Sequence, residues 1–110
     1  MKVCEIADLH KELFPNATPE SQLWKLEEEI AEFENCENDQ EAVKELADIM
    51  IVCGGLYRWF PKTAMAVAIR FVEDMGMYPE EEVNRKWSVN LKRKWKWNGK
   101  TYHHVENGNE

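Results

Sequence analysis

Two pairs of acidic residues on successive helices constrain this chain more than any other feature of it. Glu29 and Glu32 are spaced i, i+3, and Glu45 and Asp48 repeat the spacing. On a helix that puts both side chains of a pair on one face, with Cβ atoms roughly 5–6 Å apart. With Glu34–Asn38 read as the turn of an antiparallel helical hairpin, residues equidistant from the turn face each other. Glu32 then stands level with Glu45, and Glu29 with Asp48. Four carboxylates converging there would repel one another strongly unless a cation lay between them, and oxygen donors without His or Cys suit Mg²⁺ or Mn²⁺. The pattern predicts a divalent-metal cage.

Taken alone, Glu27-Glu28-Glu29 with Glu32 reads as a solvated acidic face, the usual fate of a charge run. The following helix argues otherwise. Asn38 is placed to cap it, with Glu41 three residues on to complete a capping box. Glu45 and Asp48 then fall among Val43, Leu46, Ala47, Ile49, Met50, Ile51, Val52 and Cys53. A helix apolar nearly all round is a buried one, and acids on it are seldom buried unless paired or bound to metal.

The rest of the chain reads as helices around this hairpin. Val3, Ile6, Leu9 and Leu13 recur at helical spacing before Pro15, which predicts a short amphipathic helix over Met1–Phe14. Thr18-Pro19-Glu20 supplies a cap, a first-turn proline and an acid for a helix running to about Asn35. That helix has an apolar seam of Leu23, Leu26, Ile30 and Phe33 beside a polar stripe of Gln22, Lys25, Glu29 and Glu32. A stripe so placed lines a crevice between helices. Gly54-Gly55 either loosens the end of the next helix or permits a close crossing. Arg58-Trp59-Phe60-Pro61 closes it, and Thr63 is placed to cap Ala64–Met75, which ends at Gly76. Together with Ile49–Leu56, that segment carries more apolar face than one small bundle needs, which predicts a homodimer or homotetramer.

A last helix begins at Pro79 and Glu80-Glu81-Glu82, in the sense the helix dipole favours. Lys86, Asn90 and Arg93 fall on one stripe of it, either a basic solvent face or an anion clamp in which arginine grips phosphate through two nitrogens. Beyond it, residues 94–104 alternate around Asn98-Gly99, a strong hairpin signal. That flap carries Trp95, Trp97 and Tyr102, either as stacking platforms for a base or as a lid on the bundle. Residues 106–110 read as a disordered tail.

Composition narrows the class. With 110 residues, 44% of them hydrophobic, the chain suits one domain spanning 1–110. A net charge of −7 argues against a nucleic-acid polymer as partner. Cys4, Cys36 and Cys53, odd in number and without CxxC spacing, suit reduced thiols in a cytoplasmic protein. No apolar leader follows Met1 and no run spans a bilayer, so no membrane association is expected.

Leu26-Glu27-Glu28-Glu29-Ile30-Ala31-Glu32, followed after twelve residues by Glu45-Leu46-Ala47-Asp48, resembles the EExxE…ExxD signature of the all-α nucleoside triphosphate pyrophosphohydrolases of the MazG type. Lys86-x-x-x-Asn90-x-x-Arg93 resembles that family's third block, seen also in its dimeric dUTPase relatives. The resemblance implies an all-α bundle of four to five helices, with a short C-terminal β-hairpin beyond it. It also implies a homo-oligomer that uses Mg²⁺ to cleave the α–β bond of a nucleoside triphosphate, releasing a monophosphate and pyrophosphate. Carried onto this chain, Glu29, Glu32, Glu45 and Asp48 are the metal ligands, and Glu28 orients the attacking water or completes a second metal site. Lys86 and Arg93 neutralise phosphate, Asn90 adds a hydrogen bond, and Gln22, Lys25 and Trp95 complete the substrate contacts. The chain departs from the dUTPase pattern where Gly99 is followed by Lys100-Thr101-Tyr102 rather than directly by tyrosine, which leaves the base open. Two other readings stand beside this one: a phosphoribosyl-ATP pyrophosphohydrolase, and a non-catalytic helical interaction module. A di-iron bundle is disfavoured, since its Glu-x-x-His pattern is absent.

Overall fold

One helix forms the axis of the fold. In the computed structural model, which describes residues 1–105, α3 (Asp39–Tyr57) packs against α1 (Val3–Leu13), α2 (Pro19–Glu34), α4 (Pro61–Met75) and α5 (Glu80–Lys92). A two-stranded antiparallel hairpin, β1 (Lys94–Trp97) and β2 (Tyr102–Val105), follows α5. The protein is an all-α bundle with a C-terminal β-hairpin. Residues 106–110, read above as a disordered tail, lie outside the described residues.

The all-round apolarity of α3 is absorbed within the single chain. Leu46, Ala47 and every residue from 49 to 56 are buried, and each fully buried Ile, Met or Leu contributes on the order of 1.5–3 kcal/mol. Ile49–Leu56 therefore does not form the outer face that its composition suggested. Around α4 the large apolar side chains left exposed are Phe60, Met65 and Ile69, Ile69 being half exposed.

Gly54 and Gly55 do not end α3, which continues to Tyr57; they let α1 cross it closely. A Cβ at Gly54 would overlap the Ile6 side chain, and one at Gly55 would overlap Gln22 Oε1 and lie 2.6 Å from His10 Nε2. That crossing rotates α1 so that Val3, Ile6, Ala7 and His10 are buried, while Leu9 is left 36% exposed. On α2 the seam narrows in the same way: Leu26 is buried, Ile30 and Phe33 are partly buried, and Leu23 is exposed. Phe33 meets Phe71 of α4 edge to face, with ring centroids 5.5 Å apart.

The caps explain the boundaries. The Thr18 hydroxyl accepts from Ser21 N–H at 3.1 Å and Thr18 N–H donates to Ser21 Oγ at 2.9 Å, a closed box with Pro19 in the first turn. Asn38 Oδ1 accepts from Glu41 N–H, but the Glu41 carboxylate accepts from Glu37 N–H rather than from Asn38, so the return arm of the expected box lands one residue early. Helix α4 starts at Pro61, not after a Thr63 cap, because proline's fixed φ suits the first helical position.

Candidate active site

Helices α2 and α3 face each other in the register that the turn dictates. One carboxylate oxygen from each of Glu29, Glu32 and Glu45 lies within 4.8 Å of the other two. Glu32 is the neighbour whose carboxylate acts on both of the others. Even so, Glu29 Oε2 and Glu45 Oε2 are buried and have no hydrogen-bond partner. The charge state reflects this crowding. Burial, followed by the charges of Asp48, Glu32 and Glu45, pushes the Glu29 carboxyl up to about 8. Glu45 is raised by burial, by its hydrogen bond with Glu32 and by Asp48.

Asp48 is level with Glu29 but its carboxylate turns to α5. Lys86 Nζ donates to Asp48 Oδ2 at 2.7 Å, across a partly buried pair. Burial still raises Asp48, outweighing the lysine that pulls it down. The cluster thus holds four acids against a single bonded cation. Buried, unpartnered carboxylate oxygens from two helices, with no soft donor among them, suit a hard divalent ion. Oxygens on opposite sides of Mg²⁺ stand roughly 4.2 Å apart, twice its usual ligand distance, so the cluster needs only small side-chain adjustments to close on one. The residues present fit the group.

From Glu29 and Asp48 a cleft of about 460 Å³ runs between α2 and α5 towards the hairpin. Of the residues expected to contact a substrate, Gln22, Lys25, Lys86, Asn90, Arg93 and Trp95 all line it. Glu28 does not. One residue before Glu29 it is turned about 100° around the helix, is exposed, and pairs loosely with Lys25 at 3.7 Å.

The hairpin is both wall and lid. Trp95 meets Phe14 edge-on at 4.9 Å between centroids, its indole N–H donates to Asn90 O at 2.8 Å, and it borders the cleft. Tyr102 packs on Phe14 at 5.0 Å, and its hydroxyl accepts from Asn16 N–H. At the tip, Lys100 sits 4.4 Å over the ring of Trp24 on α2. Of the two alternatives set out above for this segment, the packing on Phe14 makes it a lid on the bundle, and the same residues border the cleft.

Among the polar and aromatic residues that line the cleft, the sequence reading gave no site role to His10, Phe14, Ser21 or Arg85. His10 had a signal, because a lone histidine three residues after Ala7 and four after Ile6 sits on the apolar side of α1. Its burial, with Arg58 beside it, lowers the imidazole to about 3, so the ring is neutral. Arg58 Nη1 lies 3.2 Å from His10 Nδ1 and donates to Phe14 O at 3.1 Å. Arg85 borders the cleft beside Lys86 and also pairs with Glu82.

The chain matches no protein-family model, no curated protein and no solved structure. Among the described residues no helix is long and apolar enough to cross a membrane.

Proposed function

We propose that this protein is a Mg²⁺-dependent nucleoside triphosphate pyrophosphohydrolase that cleaves the α–β phosphate bond to give a nucleoside monophosphate and pyrophosphate. The observation that carries the reading is the pair of buried, unpartnered oxygens on Glu29 and Glu45, in a cluster with Glu32 that adjoins Asp48 and, through Glu29 and Asp48, a cleft bordered by Lys86, Arg85 and Arg93. An anion cannot approach four carboxylates unaided, and a divalent ion cannot be retained by a purely basic cleft. The juxtaposition suits a ligand that is a polyanion and arrives with a metal.

In this reading Glu29, Glu32, Glu45 and Asp48 hold Mg²⁺, which supplies charge neutralisation and a more acidic water when bound. The chain's own groups do the positioning, which with electrostatics accounts for most of phosphoryl-transfer catalysis. Lys86 is shared between Asp48 and the incoming phosphate, Arg93 offers an exposed guanidinium for two-point contact, and Asn90 adds a neutral hydrogen bond. Trp95 and Phe14 give the base an apolar wall. The exposed Phe60, Met65 and Ile69 are the proposed contact surface of a homo-oligomer working in the cytoplasm.

The test is product analysis with Mg²⁺ and a panel of nucleoside triphosphates. Pyrophosphate and a monophosphate are expected. Orthophosphate with a diphosphate would mean that a different bond is cut, and no turnover of any triphosphate would remove the reading. Light scattering is expected to give a multiple of 13.0 kDa.

A further inference from the structure

At the end of the cleft away from the acids, polar side chains form a chain of donors with one direction. Arginine has only donors, so the contact between Arg58 Nη1 and His10 Nδ1 leaves Nδ1 as an acceptor, and the neutral ring carries its proton on Nε2. A Cβ on Gly55 would overlap Gln22 Oε1 and lie 2.6 Å from His10 Nε2, which brings both atoms to one place on α3, and the Gln22 side chain acts on the imidazole as a hydrogen-bonding neighbour. Of the two, Nε2–H is the donor and Oε1 the acceptor. The other end of the amide is fixed independently. Ser21 Oγ gives its only proton to Thr18 O at 2.7 Å, so towards Gln22 Nε2, 3.4 Å away, it acts only as an acceptor. Two separate constraints give the same amide orientation.

Gln22 is 6% exposed and borders the cleft. Its oxygen is engaged by His10, and one of its two N–H groups by Ser21. The group left for a ligand is the second N–H, a donor that cannot be exchanged for an acceptor without breaking the chain behind it. Gln22 precedes Glu29 by two helical turns, roughly 10 Å along the axis, so a nucleotide with its phosphates at the acids brings its base to this end.

We infer that Arg58, acting through His10, holds the Gln22 amide as a hydrogen-bond donor, and that the cleft thereby selects triphosphates whose base turns a carbonyl rather than an amino group towards it at the edge farthest from the sugar. The inference rests on the nucleotide reading above. Arg58 and His10 are positioning residues; Gln22 makes the contact. A base presenting an amino group there meets donor against donor. That leaves the buried Gln22 N–H and the base's amino group both without an acceptor, a loss worth about tenfold or more in kcat/KM.

The experiment uses the full chain with Mg²⁺ and two matched pairs that differ only at this edge, UTP against CTP and ITP against ATP. The carbonyl member of each pair is expected to be favoured by about tenfold or more. Arg58→Met removes the donor to Nδ1 and is expected to bring both ratios to within about twofold. Arg58→Lys still donates and is expected to retain most of the preference. Nitrogen-15 spectra of the imidazole are expected to show the Nε2–H tautomer in the parent and a mixture in Arg58→Met, a readout that loss of packing alone would not produce. Should Arg58→Met fail to fold, Gln22→Glu, equal in shape but lacking the N–H, serves in its place and is expected to lose the preference. Turnover with ratios at or below one overturns this inference and leaves the proposed function standing. A parent with the Nδ1–H tautomer also overturns it. Absence of both turnover and binding for all four nucleotides overturns the two together.

Discussion

Glu29→Gln should make the metal-free protein more stable at alkaline pH and at the same time abolish its response to Mg²⁺. The Glu29 carboxyl is raised from 4.5 to about 8. Between those values the folded chain holds a proton that the unfolded chain has released. Its contribution to stability is therefore fully present below 4.5 and is lost as pH rises through 8. His10 runs the other way: lowered from 6.5 to about 3, it contributes stability above 6.5 that is lost as pH falls towards 3. The two windows overlap from 4.5 to 6.5, where their slopes oppose. Only from 6.5 to 8, a span of 1.5 units, is the Glu29 contribution free of the opposing one from His10.

At about 1.36 kcal/mol per unit, that span sets a ceiling of roughly 2 kcal/mol. Solvent at the outer edge of the cluster and sharing of the proton with neighbouring acids reduce it to about 1 kcal/mol. Urea denaturation in EDTA, from pH 6.5 to about 8.5, should show the parent losing about that much more stability than Glu29→Gln. Saturating Mg²⁺ should cancel the parent's loss, because the ion binds the ionised form, and should leave Glu29→Gln unmoved. Identical pH slopes for the two proteins would refute the raised carboxyl; a parent whose stability ignores Mg²⁺ would refute the cage.

Lys86→Met removes the cation that lowers both Asp48 and Glu45; the metal-free variant should lose stability with rising pH more steeply than the parent, by about 1 kcal/mol at the alkaline end, in the same urea series. Gly54→Ala drives a methyl into Ile6 and should cost about 1–3 kcal/mol in chemical denaturation, whereas Gly76→Ala, with open space around it, should cost only the strain of its left-handed backbone, about 1 kcal/mol. Trp95→Ala removes the wall against Phe14 and the indole bond to Asn90; steady-state kinetics should show a raised KM with the Mg²⁺-induced stabilisation intact.

The acid cluster was legible because a short turn between two helices leaves little freedom: once Glu34–Asn38 is the turn, the facing residues follow. Burial of α3 was legible from its composition, and the hairpin from Asn98-Gly99, whose Asn98 Oδ1 accepts from both Lys100 and Thr101 N–H. What was not legible depends on how helices distant in sequence are rotated against each other. Lys86 reads as a free clamp until α5 packs on α3 and brings it to Asp48. Leu9 and His10 are adjacent, and only the crossing angle set by Gly54 and Gly55 decides which of them faces inward. The outer face of α2, where Leu23 is exposed, follows from the same kind of choice.

The register that aligns the acids also accounts for the amide. Gln22 and Gly55 are equidistant from the α2–α3 turn, as are Glu29 and Asp48, and Glu32 and Glu45, so all three pairs belong to one face-to-face alignment. The near overlap of a Gly55 Cβ with Gln22 Oε1 is independent geometric support for that alignment, since it concerns atoms two helical turns from any carboxylate of the cluster. Gly55 is therefore constrained twice: it must lack a side chain for α1 to approach, and it must lack one for the glutamine amide to lie across α3 at that level. The two other helices then each complete one end, α5 with Lys86 against Asp48 and α1 with His10 against Gln22. The acid end and the Gln22 end of the cleft are thus held at a separation of roughly 10 Å by the two central helices, seven residues apart on each.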